Sequence, residues 1–196
     1  LKSLKMPISR EILLKNQQCK VYNLYIIRIN VKVRHLPREV MRMNYIQVIF
    51  TPIGALTLKA NENELTEVCF GASETEENRN SVTELAAKQI EEYFDGKRKS
   101  FDVPHKLCGT EFQIKVWEQL KSIPYGETAA YSDIAEAIGN RSASRAVGMA
   151  NNKNKLPIII PCHRVIGKNG SLVGYAGGLD IKEKMLKLEK EHTDKI

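Results

Sequence analysis

Apolar positions in this chain change their period near residue 80. From Tyr45, "YIQVIFTPIGALTLKANENELTEVCFG" alternates apolar and polar residues in three short runs split by "TPIG" and "NENE", which predicts a β-meander. A helical period follows, with Val82, Leu85, Ala86, Gln89/Ile90 and Tyr93 on one face. Ser81 and Glu84 predict its capping box, and Gly96 its C-terminal stop after about Asp95. "KSFDVPHKL" predicts a linker with a short strand. The remainder is helical. Thr110 and Gln113 form a second capping box that opens a helix through Trp117 and Leu120, ended by "IPYGET". Trp117, the single tryptophan, is expected in the core against the neighbouring domain. Two short helices follow, Ser132 to Ile138 (closed by Gly139) and Ser142 to about Ala150. That is a helix-turn-helix pattern, which many αα-hairpins that bind nothing also share. "PIII" predicts a buried strand leading into "PCHR", then a turn "GKNG" and a Gly-rich "GYAGGL". A last helix is predicted from Asp180 to about Glu191, with Asp180 and Glu183 as a D-x-x-E start. The fold class is therefore α+β. Its parts are a basic N-terminal extension over residues 1–43, an α/β domain over 44–107 and a mostly helical domain over 108–192.

Charge refines this division. The net +7 is concentrated at the N-terminus: residues 1–42 hold ten Lys/Arg and two Glu, while 43–196 hold 20 bases and 21 acids. Residues 61–95 carry ten acids and two bases. Residues 137–179 carry six bases (Arg141, Arg145, Lys153, Lys155, Arg164 and Lys168) and no acid. An acid-free basic stretch suits a polyanion better than bulk charge does, although a solvated face gives the same count. The extension over 1–43 fits a tail of unknown role or a basic arm adding nonspecific nucleic-acid affinity. At 42% hydrophobic residues, with no apolar run near the ~18 a membrane span needs, no membrane association is expected. The basic N-terminus lacks an apolar segment followed by a small-residue cleavage site, so no secretory signal is expected. Four scattered cysteines without a C-x-x-C pair point to reduced thiols in a cytoplasm. Cys69 and Cys108 are expected to be structural.

Cys162 is the candidate for chemistry. A free thiol is only a few per cent ionised at neutral pH and needs a base or a positive field to act as a nucleophile. His163 and Arg164 follow it directly. Neighbours on an extended strand face opposite ways, so a Cys–His contact would need a tight turn after Pro161 or a bridging water. The imidazole would also need a partner on its other nitrogen, for which Glu183, Glu189 and Glu191 are candidates. The residues alone leave Cys162 open between an inert core thiol and a nucleophile. Zinc is disfavoured, because Cys19, His35, His105 and Cys108 show no finger-like spacing with Cys162 and His163. A Cys–His hydrolase would call for an oxyanion hole and an orienting partner at protease-like spacing, and no such signature is present.

Three segments in order, "GTEFQIKVWEQLKSIPYGETAAYSDIA", "SRAVGMANNKN" and "IPCHRVIGKNGSLVGYAGGL", closely resemble the O6-alkylguanine-DNA alkyltransferase family. The likeness is dense over residues 108–191, looser over 44–107 and absent over 1–42. It implies a ribonuclease H-like N-terminal domain and a winged-helix-like DNA-binding domain with a helix-turn-helix. It implies direct reversal of DNA damage: Cys162 takes the alkyl group from O6-alkylguanine irreversibly in a single turnover, with O4-alkylthymine as a second candidate substrate. By the same resemblance His163 takes the thiol proton through a water and Glu189 orients the imidazole. Asn154 ties the turn to the site, and Tyr131 donates to the base. Arg145 fills the space left by the flipped nucleotide, in a recognition helix lying in the minor groove. Ser142, Ala146, Tyr131, Lys153 and Lys155 would join Arg145 at the DNA. Pro161, Val165, Tyr175, Ala176 and Gly177 would line the base pocket. No cofactor and no metal are implied; the partner is double-stranded DNA carrying O6-alkylguanine, bound by a monomer. Two departures stand out: Lys155 replaces a common proline, loosening the turn while adding a phosphate contact, and Ala176 replaces a serine of some members. Relatives that bind lesions without reacting lack the acceptor cysteine, which is present here.

Overall fold

The computed structural model describes residues 45–193. The expected basic extension over 1–43, the alternating "NLYIIRINVKVRHL" and Cys19 lie outside the described residues.

The meander is present. Strands β1 (Tyr45–Thr51), β2 (Gly54–Ala60) and β3 (Leu65–Phe70) form an antiparallel sheet in sequence order. The β2–β3 turn is held by Asn61, whose Oδ1 accepts from the N–H groups of Asn63 and Glu64, both at 2.8 Å. Helix α1 (Ser81–Phe94) covers the sheet and buries Val82, Ala86, Ile90 and Tyr93, whereas Leu85 faces solvent. Its cap lies one residue earlier than predicted. Asn80 accepts from Thr83 N–H at 3.0 Å and Thr83 Oγ1 accepts from Asn80 N–H at 3.1 Å. Asparagine caps as well as serine does, and the extended backbone at Asn80 decides between them.

The outer edge of β3 is not left open. Leu65 N–H donates to Pro104 O at 2.7 Å and Val68 N–H to Lys155 O at 2.8 Å. Main chain from the second half of the sequence thus completes the sheet edge and anchors the segment entering Cys162. Lys155, which stands in that segment, is half-buried, and its carbonyl is the one that accepts from Val68.

Helix α2 (Glu111–Leu120) opens at the predicted Thr110/Gln113 box. Trp117 is buried, and its indole N–H donates to Ala150 O at 2.9 Å, tying α2 to a helix of its own half rather than across to the sheet. A two-residue strand β4 (Ala129–Ala130) leads into α3 (Tyr131–Ala137). Gly139, at φ +79°, makes the left-handed turn that a side chain would oppose. A 3-10 turn over Arg141–Ala143 then precedes α4 (Ser144–Asn152), so Ser142 sits before the helix it was predicted to open. There its hydroxyl donates to Asn140 Oδ1 at 2.9 Å. The two-residue strand β5 (Val165–Ile166) pairs in parallel with β4, and α5 (Leu179–Thr193) closes the fold.

"PIII" is buried as expected but is not a strand. Ile158 adopts φ +75°, Pro157 and Pro161 cannot donate, and Cys162 N–H turns back to Ile160 O at 2.7 Å. A left-handed isoleucine is sterically costly and persists only where surrounding packing holds it.

Candidate active site

Cys162, His163 and Arg164 occupy a single 3-10 turn between that bent segment and β5. A tight turn, not an extended strand, therefore carries the Cys–His pair. The turn is fixed from α4 and the segment after it. Asn151 Nδ2 donates to Cys162 O at 3.2 Å; Asn154 Nδ2 donates to Ile160 O at 2.9 Å and to Cys162 Sγ at 3.1 Å. Asn154 Oδ1 in turn accepts from Leu156 N–H at 3.0 Å. One amide therefore holds both the backbone path and the thiol. Burial pushes the Cys162 thiol up to about 11, against the opposing pull of the Asn154 hydrogen bond.

Helix α5 supplies the other wall. Lys182, Met185 and Glu189 recur at helical spacing, and that stripe is buried while Glu183 and Glu191 are exposed. Of the three predicted carboxylates, only Glu189 reaches His163. His163 Nε2 donates to Glu189 Oε1 at 2.8 Å, which leaves Nδ1 buried with no protein partner. A neutral imidazole with its proton on Nε2 carries its lone pair on Nδ1, so His163 presents an acceptor nitrogen on the side away from Glu189. Burial lowers the His163 pKa, opposed by the Glu189 hydrogen bond. Burial also raises that of Glu189, but the hydrogen bonds and charges of His163 and Arg164 outweigh it and bring the carboxyl from 4.5 to about 2.

Four contributors to this network were not legible in the sequence. Arg164, counted among the surface bases, is buried instead. Its Nε and Nη2 donate to Glu189 at 2.9–3.2 Å and its Nη1 to Ile123 O at 2.6 Å. A guanidinium has five donors in a fixed fork, which matches the two oxygens of a carboxylate. Gly126 N–H donates to Glu189 Oε2 at 3.0 Å, from a left-handed backbone at φ +81° that suits glycine. Tyr93, read as an apolar helix position, places its hydroxyl 2.6 Å from Glu189 Oε1. Lys182, fully buried, donates to Val165 O at 2.5 Å and Val173 O at 3.1 Å, and burial lowers its pKa.

Of the predicted DNA-facing residues, Tyr131 and Arg145 come together at one cavity, and Ser142, Ala146, Lys153 and Lys155 do not line it. Tyr131, Ser144, Arg145, Gly148, Asn152, Val173 and Gly174 line an open cavity of about 320 Å³. Arg145 and Lys153 are exposed and Ala146 is half-buried. Tyr131 OH donates to Val173 O at 3.0 Å, the same carbonyl that Lys182 holds. None of Pro161, Val165, Tyr175, Ala176 and Gly177 lines this cavity. Pro161 and Val165 are buried on either side of the turn. Ala176 is exposed, and Gly177 is so close to Phe70 of β3 that a Cβ would lie 2.8 Å from its ring. Tyr175 packs edge-on against that same ring at 5.8 Å, and its pKa is raised by burial and by the neighbouring Cys162. Among the described residues no cluster of three or more His, Cys, Asp or Glu could hold a metal ion, and no helix is long and apolar enough to cross a membrane.

A buried thiol held by Asn154, a histidine bonded to a buried glutamate in the same turn and, on the same half, an open cavity lined from two short helices fit a class of proteins that accept a group onto cysteine. Residues 44–107 match the ribonuclease-like domain, and residues 111–191 the DNA binding domain, of 6-O-methylguanine DNA methyltransferase. The methylated-DNA–protein-cysteine methyltransferase of Methanosarcina acetivorans is 53% identical over 153 residues, covering 74% of this chain and 97% of that relative. The crystal structure of the Mycobacterium tuberculosis O6-methylguanine methyltransferase is similar with a TM-score of 0.70 at 42% identity, covering 76% of this chain and 94% of that one. That of the M. tuberculosis OGT in complex with DNA gives 0.69 at 43%, with the same coverage. The chain belongs to the 6-O-methylguanine DNA methyltransferase family, with its α+β, two-domain architecture.

Proposed function

We propose that the protein repairs DNA by direct reversal, taking the alkyl group of O6-alkylguanine in duplex DNA onto Cys162 in one irreversible step. The observation that carries this reading is the buried relay itself: Sγ held by Asn154, an imidazole with Nε2 committed to Glu189, and Nδ1 left with its lone pair. In the step, the Cys162 proton passes through a water to His163 Nδ1. The sulfur forms a bond to the alkyl carbon, the carbon–O6 bond breaks, and its electron pair leaves on guanine, which takes up a proton. Tyr131 is the donor for that base, and must exchange its Val173 carbonyl to reach it. The product is a thioether and no step restores the thiol, so the stoichiometry is one alkyl group per chain.

A base inside a duplex must leave the stack to meet a buried sulfur. Arg145, exposed on the cavity wall at the start of α4, is the side chain to fill the gap. Lys153, Lys155 and Ser142 contact the backbone around it, and the 173–177 segment closes over the flipped base. The reading places a monomer at work in a reducing compartment, the cytoplasm. The test is intact mass after incubation with a duplex containing O6-methylguanine. One methyl gained, mapped to Cys162 and lost in Cys162→Ala, is expected. Binding without mass gain, or transfer surviving the substitution, would overturn it.

A further inference from the structure

The ring of Tyr93 and its hydroxyl have different jobs. The ring belongs to an aromatic cluster, 5.5 Å from Phe101 and 5.8 Å from Tyr125, which a phenylalanine would fill equally well. A hydroxyl buried there costs free energy unless it is bonded. It is bonded across the whole fold: Tyr93 is fully buried on α1, in the N-terminal domain, and its OH donates to Glu189 Oε1 at 2.6 Å, 3.5 Å from His163 Nε2. That oxygen already receives the His163 proton at 2.8 Å. The short distance is that of a hydrogen bond to a charged acceptor.

We propose that Tyr93 is a positioning residue for alkyl transfer, by which the N-terminal domain fixes Glu189 Oε1 in line with His163 and limits how strongly the carboxylate holds the imidazole proton. The inference rests on Cys162 being the acceptor. Its direction follows from the charges around the pair. Glu189 is faced by Arg164, His163, Tyr93, the Gly126 N–H and, behind Tyr93, Tyr125. His163 is faced by Glu189, Arg164, Lys182 and, at 3.5 Å, the Tyr93 hydroxyl. Of these, Tyr93 and His163 share Oε1 as neutral donors. Each draws on the same lone-pair density, so removing the hydroxyl returns negative charge to the side facing His163. The imidazolium is then stabilised, and His163 becomes protonated at a higher pH.

The experiment measures single-turnover methyl transfer from an O6-methylguanine duplex against pH. It compares the wild type, Tyr93→Phe, a protein with 3-fluorotyrosine at position 93, and Phe101→Leu as a packing control. Tyr93→Phe is expected to lower the plateau rate on the order of tenfold and to move the acid limb to higher pH. Fluorotyrosine keeps the ring and donates more strongly, so its acid limb moves to lower pH. Phe101→Leu loosens the same cluster and leaves the limb in place. A wild-type profile for Tyr93→Phe, or equal displacement in Phe101→Leu, overturns the proposal. If Tyr93→Phe does not fold, the fluorotyrosine protein decides alone, an unmoved limb counting against. Wild-type protein that gains no methyl on Cys162 sinks the acceptor reading itself, and this is scored before any variant.

Discussion

Glu189→Gln tests the buried network most directly. The carboxylate has no exposed surface and accepts from Arg164, His163, Tyr93 and Gly126. A glutamine keeps the shape but removes the charge, and turns one acceptor into an NH2 group facing existing donors. Arg164 is then a buried guanidinium without a counter-charge, a situation that costs about 3–5 kcal/mol. The displacement of Glu189 from 4.5 to about 2 gives a second route to the same quantity. At about 1.4 kcal/mol per pH unit it corresponds to about 3 kcal/mol. The sign is that of a depressed carboxyl: its stabilisation is complete above pH 4.5 and is lost as pH falls through that value toward about 2. His163, whose pKa burial lowers, subtracts stability in the same direction as pH falls below its ordinary 6.5. Urea unfolding at neutral pH should show the variant weakened by about 3 kcal/mol, folded but near its limit for a domain of ordinary stability. Repeated in acid, the wild type should converge on the variant, which lacks the carboxyl leg. A loss under about 1 kcal/mol at neutral pH, with the acid leg intact, would refute the claim that Glu189 neutralises Arg164 in the interior.

Other outcomes follow from single groups. The Cys162 thiol, raised from 9.0 to about 11, contributes stability that is complete below pH 9 and lost as pH rises toward about 11. Cys162→Ala and the S-methylated protein should both lack this alkaline leg in urea melts, and its survival in either would assign it elsewhere. Asn154→Ala removes the bonds to Ile160 O and Sγ and frees Leu156 N–H; about 1–3 kcal/mol of stability should go with it, together with most of the transfer rate. Arg145→Ala should slow repair of a duplex far more than reaction with the free modified base, and equal slowing would contradict its place in the vacated stack. Binding to duplex should weaken with salt, and Lys153→Ala should lower the slope of log affinity against log salt by about one.

Local rules made the secondary structure readable. The Thr110/Gln113 box and the Gly139 turn depend on residues within four positions of one another, the meander on strands joined by short turns, and each appeared where the pattern put it. The cap of α1 shifted by one residue because Asn80 and Ser81 are equally suited and only the backbone conformation separates them. "PIII" failed as a strand for a different reason. Its apolar run reported burial correctly, but burial is compatible with a bent path. The left-handed Ile158 is held by packing and by Asn154, which no short-range pattern encodes.

The sequence by itself determined the groups available: one thiol beside one imidazole and three candidate glutamates on the last helix, with Asn154 and Glu189 singled out by the family resemblance. It did so because those spacings are short or helical, and motif order carried the family likeness. Tertiary structure alone decided which charges became internal. Arg164 counted toward a basic surface until Glu189 was found against it, Tyr93 counted toward an apolar face until its hydroxyl met the same carboxylate, and Lys182 resembled any helix lysine. Burial and pairing depend on partners 25 and 96 residues away in the chain for Arg164 and Tyr93, and composition cannot register a partner at that distance.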